Sequence, residues 1–130
     1  MVTIAELSVF GAVLLYLFTV APVKAVGRRE FDNADPRAPA FYELPLRKRA
    51  LGAHQNGIET FPFFAAAVLL AEFRSCPQNW IDGLAMGFLI VRLAYIIAYL
   101  ANRPTIRTLF WNLAFLINAA IFFLPAFVHR

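Results

Sequence analysis

The stretch WIDGLAMGFLIVRLAYIIAYLANRPTIRTLFWNLAFLINAAIFFLPAFV, residues 80–128, decides the fold. It contains two long apolar segments, at about 80–101 and 105–128, and only the turn around Asn102 and Pro104 separates them. An α-helix rises about 1.5 Å per residue, so each segment is long enough to cross a hydrocarbon core of about 30 Å. The stretch therefore predicts two membrane-spanning helices joined by a tight turn.

Two further helices are predicted upstream. The first covers about residues 4–24, and because no basic residue precedes it we expect a retained helix and not a cleaved signal peptide. The second covers about 47–73, and its polar first half must face protein or water to complete the crossing. We therefore predict an all-α fold, a transmembrane four-helix bundle that forms a single domain over residues 1–130.

The composition agrees with a membrane protein. Hydrophobic residues make up 61% of the chain and charged residues 15%, with a mean hydropathy of +0.64. A soluble chain of this length has too little interior to bury so many apolar side chains, so membrane lipids are expected partners. The net charge of +4 is concentrated in loops and not along one soluble face, so we expect no nucleic-acid partner.

The basic residues are distributed unevenly between the two sides of the predicted membrane. The first loop and the last turn hold Lys24, Arg28, Arg29, Arg37, Arg47, Lys48, Arg49, Arg103 and Arg107. The opposite side holds only Arg74 and Arg130. By the positive-inside rule, loops 1 and 3 are predicted to be cytoplasmic and both termini to lie on the opposite side.

Polar side chains at membrane depth are the candidates for a site. Asn56 and Glu59 lie about one turn apart on the second helix, and Arg92, Tyr95 and Tyr99 share one face of the third. Such groups are costly in a membrane unless they have partners. Two interpretations stay open at this point: a structural Glu59–Arg92 pair that holds the bundle together, or a ligand site.

The end of the third helix favours a ligand site. Tyr99 lies one turn from Arg103 and two from Arg107, so phenols and guanidinium groups converge on one membrane face. Cations, a carboxylate, an amide and phenols together suit a small zwitterion with excess negative charge. The position at the lipid boundary suits a hydrophobic small molecule as second substrate.

Two stretches resemble the MAPEG family, the membrane-associated proteins of eicosanoid and glutathione metabolism. They are RALGAHQNGIETFPFFAAAVLLA, residues 49–71, and VRLAYIIAYLANRPTIRTLFWN, residues 91–112. The resemblance rests on Asn56 and Glu59 followed by Pro62, joined to the tyrosine and arginine pattern of the later stretch. It implies a homotrimer that holds glutathione as co-substrate between subunits. The short form without extra loops is typical of a bacterial member, which would lie in the inner membrane.

The resemblance also implies an activity and its residues. The activity is that of a glutathione-dependent transferase or peroxidase acting on hydrophobic electrophiles or lipid hydroperoxides, with no metal site. The implied glutathione-binding residues are Arg28, Arg29, Arg49, Asn56, Glu59, Arg92, Tyr95 and Tyr99. Arg107 matches the arginine that stabilises the glutathione thiolate, with Arg103 as its rival, because a nearby cation lowers a thiol pKa.

One departure from the family pattern keeps alternatives open. Gly52 stands where the mammalian eicosanoid enzymes carry a glutathione-binding arginine. A non-catalytic lipid-binding or scaffolding relative is therefore the alternative hypothesis. A small proton-coupled multidrug transporter agrees less well, because such proteins place a carboxylate deep in their first helix and here Glu6 lies near the helix end.

Overall fold

The computed structural model describes residues 1–128, so Arg130 lies outside the described residues. Four helices account for most of the chain: α1 (Ile4–Val26), α2 (Pro45–Phe73), α3 (Gln78–Leu100) and α4 (Pro104–Phe127). A single 3₁₀ turn, Pro39–Tyr42, lies in the first loop. The predicted all-α four-helix bundle is confirmed.

Local sequence signals set the helix ends. The Thr3 side chain accepts a hydrogen bond from the Glu6 backbone N–H while the Glu6 carboxylate accepts one from Thr3, which forms a capping box at the start of α1. Pro45 and Pro104 occupy the first positions of α2 and α4, where the missing N–H costs nothing. Asn102 adopts a φ of 56°, in the left-handed region that asparagine tolerates, and so lets α4 reverse against α3.

The bundle is built around a central pair of helices. α2 and α3 contact each other, and each of them also contacts both α1 and α4. Within the described residues the backbones of α1 and α4 do not come close to each other. Small side chains let the helices approach closely. These are Ala5, Ala12, Ala50, Ala53, Ala67, Ala71, Ala85 and Ala114, all buried. Between α2 and α3 the rings of Phe64 and Phe88 stack with centroids 4.0 Å apart.

Three of the four helices are long and apolar enough to cross a membrane by themselves: α1, α3 and α4. Together they make the protein an integral membrane protein. α2 is the longest helix, at 29 residues, and continues without a break through Pro62. Its polar first half gives it a lower hydropathy, so its packing against the apolar helices, and not its composition, keeps it in the bundle.

The first loop packs back onto the helices. Phe41 and Tyr42 are buried against Val20 of α1 in a small separate cluster. Arg47 Nη1 donates to Glu30 Oε2 at 2.6 Å, and its guanidinium lies 4.3 Å from the Phe41 ring centre. This hydrogen bond and the charge of Arg47 hold the pKa of the Glu30 carboxyl below its usual value. The loop therefore has a defined structure at the basic end of the bundle.

Candidate functional site

The polar half of α2 opens into a cavity of about 400 Å³ between α2, α3 and α4, which we call the polar cavity. It is lined by Gly52, Gln55, Asn56, Glu59, Tyr95, Tyr99, Arg107, Thr108 and Trp111. Its volume falls within the roughly 300–1,000 Å³ that is typical of small-molecule sites. It lies at the end of the bundle that carries the first loop, where α2 begins and α3 ends.

α2 supplies the carboxylate and the amide of the polar cavity. Gly52, Asn56 and Glu59 follow one another at helical spacing, so they line the same side of the helix. Glu59 is exposed in the single chain. The only ion pair among residues 1–128 is between Arg47 and Glu30, so Glu59 has no ion-pair partner there. Its carboxylate is therefore free to receive a cationic group of a ligand.

Arg92 lies behind the polar cavity and orients the amide. It is 1% exposed, and its Nη2 donates to Asn56 Oδ1 at 2.9 Å. Its guanidinium carbon also lies 4.2 Å from the Tyr95 ring centre and 5.7 Å from that of Tyr16. A Glu59–Arg92 pair was one of the two interpretations that the sequence left open, and within the described residues Arg92 is paired with Asn56 instead. With its oxygen engaged, the Asn56 amide presents its N–H groups to the cavity.

Two tyrosines and one arginine form the opposite wall. The rings of Tyr95 and Tyr99 meet edge to face with centroids 5.8 Å apart. The Arg107 guanidinium carbon lies 4.4 Å from the Tyr99 ring centre, a cation–π contact that restrains a half-buried side chain. The tight turn around Asn102 makes this contact possible because it places the first turn of α4 beside the last turn of α3.

Gly52 leaves room for Tyr99. A Cβ atom built on Gly52 would overlap the Tyr99 hydroxyl and would lie 2.9 Å from Tyr99 Cζ. Real Cβ atoms do not come so close to a neighbour, so any side chain at this position requires the phenol to move. The Tyr99 phenol of α3 thus fills the space that an arginine side chain at position 52 would occupy.

Five of the predicted site residues do not line the polar cavity: Arg92, which lies behind it, and four other arginines. Arg103 is an exposed residue at the N-terminal cap of α4. Arg49 Nε donates to the Leu100 backbone carbonyl at 3.1 Å, which ties the start of α2 to the end of α3. Arg28 and Arg29 are exposed just beyond α1. The structure therefore brings together Asn56, Glu59, Tyr95, Tyr99 and Arg107, with Arg92 behind them.

A second, smaller cavity of about 170 Å³ adjoins the first and is mostly apolar; we call it the apolar cleft. Its lining residues are Glu59, Thr60, Phe63, Phe88, Arg92, Trp111, Ala114, Phe115 and Asn118. Glu59 and Trp111 line both cavities, so the two spaces meet at these residues. A polar ligand and an apolar ligand can therefore be held side by side.

The contribution of α4 was missed by sequence reasoning except for Arg107. Thr108 and Trp111 line the polar cavity, and Asn118 lines the apolar cleft. A signal was present: Arg107, Trp111, Ala114 and Asn118 recur at intervals of three and four residues, which places them on one helix face. This face is hard to recognise in the sequence, because a membrane helix is apolar on all sides and lacks the polar–apolar contrast that marks the buried face of a soluble helix.

The charges and donors of the polar cavity define what it can bind. Glu59 can accept hydrogen bonds from an ammonium group, and Arg107 can bind a carboxylate or a thiolate. The hydroxyls of Tyr95 and Tyr99 and the amide of Asn56 add neutral hydrogen-bonding groups. A small, extended zwitterion matches this set.

The comparisons with known proteins agree with these features. No curated protein and no solved structure matches the chain. The model of the MAPEG family, however, matches residues 4–127, which is nearly the whole chain and includes every residue of both cavities. The chain therefore belongs to the MAPEG family.

Proposed function

We propose that the protein is a membrane-bound, glutathione-dependent transferase or peroxidase that acts on hydrophobic electrophiles or lipid hydroperoxides. Membership of a glutathione-associated membrane family supports the general class. The observation that supports the proposal most is that Glu59, Tyr99 and Arg107, from three different helices, line one cavity. Glutathione carries an ammonium group, two carboxylates and a thiol, and the cavity offers groups that complement them.

The residues of the polar cavity have distinct roles in this proposal. Glu59 binds the amino group, and Asn56, held by Arg92, donates to the peptide backbone of the tripeptide. Arg107 stabilises the thiolate, because a cation close to the sulfur lowers the thiol pKa and the thiolate is the nucleophile. The contact with the Tyr99 ring keeps the guanidinium of Arg107 in place.

The second substrate enters the apolar cleft from the membrane. The cleft shares Glu59 and Trp111 with the polar cavity, so an apolar group bound there lies beside glutathione bound in the polar cavity. Arg28, Arg29 and Arg49 line neither cavity of the single chain. Their predicted contacts with glutathione carboxylates therefore require a neighbouring subunit or a movement of their side chains.

The test is ultraviolet difference absorbance of the glutathione thiolate in detergent-solubilised protein. We expect a thiolate signal with the unmodified protein, its loss in Arg107→Ala, and its retention in the matched control Arg103→Ala, which removes an exposed arginine four residues away. Loss in Arg103→Ala alone would transfer the role to Arg103. Absence of the signal from unmodified protein that is folded would contradict the proposed activity.

The alternative function is a lipid-binding or scaffolding relative without catalysis. Gly52 favours it, because the arginine that helps to bind glutathione in the mammalian eicosanoid enzymes is missing. Removing one cation from an anion-binding site weakens the binding of the anion by about 1.5–3 kcal/mol for each charged hydrogen bond that is lost. This alternative predicts tightly bound lipid in native mass spectra and no change in those spectra when glutathione is added.

We further propose that the protein assembles as a homotrimer in the lipid bilayer. Glu59 and Gln55 also line a groove of about 650 Å³ between α1, α2 and the first loop. Both are exposed in the single chain. A charged side chain facing lipid inside a helix costs about 2.5–3.5 kcal/mol near the membrane centre, so a neighbouring copy that covers this side of α2 stabilises the assembly. Native mass spectrometry should show three chains; a monomer that binds glutathione would contradict this.

The proposed orientation places loops 1 and 3 in the cytoplasm and both termini on the opposite side, in the inner membrane if the source is bacterial. The support is the concentration of Lys and Arg at the end of the bundle that holds the first loop. This orientation opens the polar cavity toward the cytoplasm. The test is a reporter enzyme that is active only after translocation across the membrane. Fused to the C-terminus, it should be active, and a cytoplasmic C-terminus would contradict the orientation.

A further inference from the structure

Two exposed cations lie just outside the contact between Gly52 of α2 and Tyr99 of α3. Lys48 lies one helical turn before Gly52, and Arg103 follows Tyr99 by four residues. The Arg103 backbone N–H donates to the Ala98 carbonyl at 2.9 Å, so Arg103 stays beside the last turn of α3. Because α2 begins at this end of the bundle and α3 ends there, both cations lie on the outer side of the contact, toward the membrane surface.

Arg49 lies at the same place. Its Nε donates to the Leu100 backbone carbonyl at 3.1 Å, which holds the guanidinium at the end of α3. Its two terminal nitrogens form no hydrogen bond within the described residues. We call Lys48, Arg49 and Arg103 the basic cluster. The only ion pair among residues 1–128 involves none of the three, so the cluster presents three cations that no carboxylate pairs.

An apolar stripe of α4 begins beside the basic cluster. Ile106, Leu109 and Leu113 follow Arg103 at intervals of three and four residues, which places them along one side of the helix. Their exposed fractions are 46%, 63% and 45%. α4 is long and apolar enough to cross a membrane, so the stripe runs from the cluster toward the membrane interior. Cations at the surface that continue into an exposed apolar stripe match an amphiphile with an anionic head.

We propose that the basic cluster binds the phosphate headgroup of an anionic phospholipid, whose acyl chain lies along the apolar stripe. Arginine binds phosphate oxygens through paired N–H groups, and the lysine ammonium adds a compact charge. The headgroup of phosphatidylglycerol carries a net negative charge that complements the cluster. The headgroup of phosphatidylcholine carries a cation of its own, which the cluster repels, so the site selects the anionic lipid. None of the three cations lines the polar cavity, so this lipid site is separate from the proposed glutathione site.

The test is native mass spectrometry of delipidated, detergent-solubilised protein, titrated with phosphatidylglycerol or with phosphatidylcholine of the same acyl chains. No glutathione is present, so a failure of the proposed activity does not affect the result. Lys48→Gln/Arg103→Gln removes two cations of the cluster and keeps Arg49, which also ties α2 to α3. The matched control Arg28→Gln/Arg29→Gln removes the same charge from two exposed arginines just beyond α1.

We expect the unmodified protein and the control to bind phosphatidylglycerol more tightly than phosphatidylcholine. One cation near an anionic lipid surface contributes a factor of about five, so Lys48→Gln/Arg103→Gln should raise the Kd for phosphatidylglycerol about 25-fold. Its Kd for phosphatidylcholine should not change. Circular dichroism confirms that each variant keeps its helices.

Three results would overturn the inference. Equal binding of the two lipids by the unmodified protein would show that the headgroup charge is not recognised. Equal weakening in both double variants would show a general attraction of the basic end and not a site. Displacement of phosphatidylglycerol by inorganic phosphate at the same concentration would show a site for free anions, because the acyl chain would then contribute nothing.

Discussion

The hydrogen bond between Arg92 and Asn56 gives the sharpest prediction about stability. Asn56→Leu keeps the size of the side chain and removes the acceptor that lies 2.9 Å from Arg92 Nη2. A hydrogen bond to a charged group contributes about 1.5–3 kcal/mol, and its loss leaves the buried Arg92 guanidinium with a further unpaired donor. Because the contact with the Tyr95 ring remains, we expect a loss of about 3 kcal/mol in the free energy of unfolding.

The assay is unfolding by dodecyl sulfate in mixed micelles, followed by circular dichroism without glutathione. Asn112→Leu is the control, since Asn112 bonds within its own helix and surface changes stay within about 0.5 kcal/mol. The double variant Asn56→Leu/Arg92→Met removes the orphaned charge. Its loss should be smaller than the sum of the two single losses by about 2 kcal/mol. An Asn56→Leu protein as stable as the control, or strict additivity, would refute the reasoning.

Two further predictions concern other contacts. Gly57→Ala should lower the free energy of unfolding by about 1–3 kcal/mol, because its Cβ would lie 2.6 Å from Cγ of the buried Tyr16 ring. Gly87 has open space around it. In the same unfolding assay Gly87→Ala should therefore be neutral or stabilise the protein by up to about 1 kcal/mol. The pKa of Glu30 is lowered by Arg47, so this pair stabilises the first loop above the usual pKa of a glutamate and is lost as the pH falls through the lowered value. Amide hydrogen exchange of the loop, corrected for its intrinsic rate, should rise in that acid range, and Glu30→Gln should show the faster exchange already at neutral pH.

The helices and much of the site could be predicted because both depend on local spacing. The apolar runs of α1, α3 and α4 mark their spans directly. Asn56 and Glu59 on α2 and Tyr95 and Tyr99 on α3 share faces of single helices, and the structure places all four in the polar cavity. Such spacing is visible in the sequence alone.

The rest depends on contacts between helices, which spacing does not show. The choice of Asn56 over Glu59 as the partner of Arg92 follows from how α2 and α3 are rotated against each other. The close approach of Gly52 to Tyr99 is likewise invisible before the helices are packed. Asn118 stands alone within an apolar segment, so its burial and its unpartnered oxygen become visible only once the helices are packed.

The most direct test of the proposed function is calorimetric titration of the detergent-solubilised protein with glutathione. The proposed site predicts saturable binding that is weakened at least tenfold in Glu59→Gln, because the carboxylate lost is the one negative charge that lines the polar cavity. The matched variant Glu43→Gln, at an exposed position in the first loop, should bind like the unmodified protein. If folded protein releases no heat with glutathione, or if both variants bind it equally well, the polar cavity is not a glutathione site.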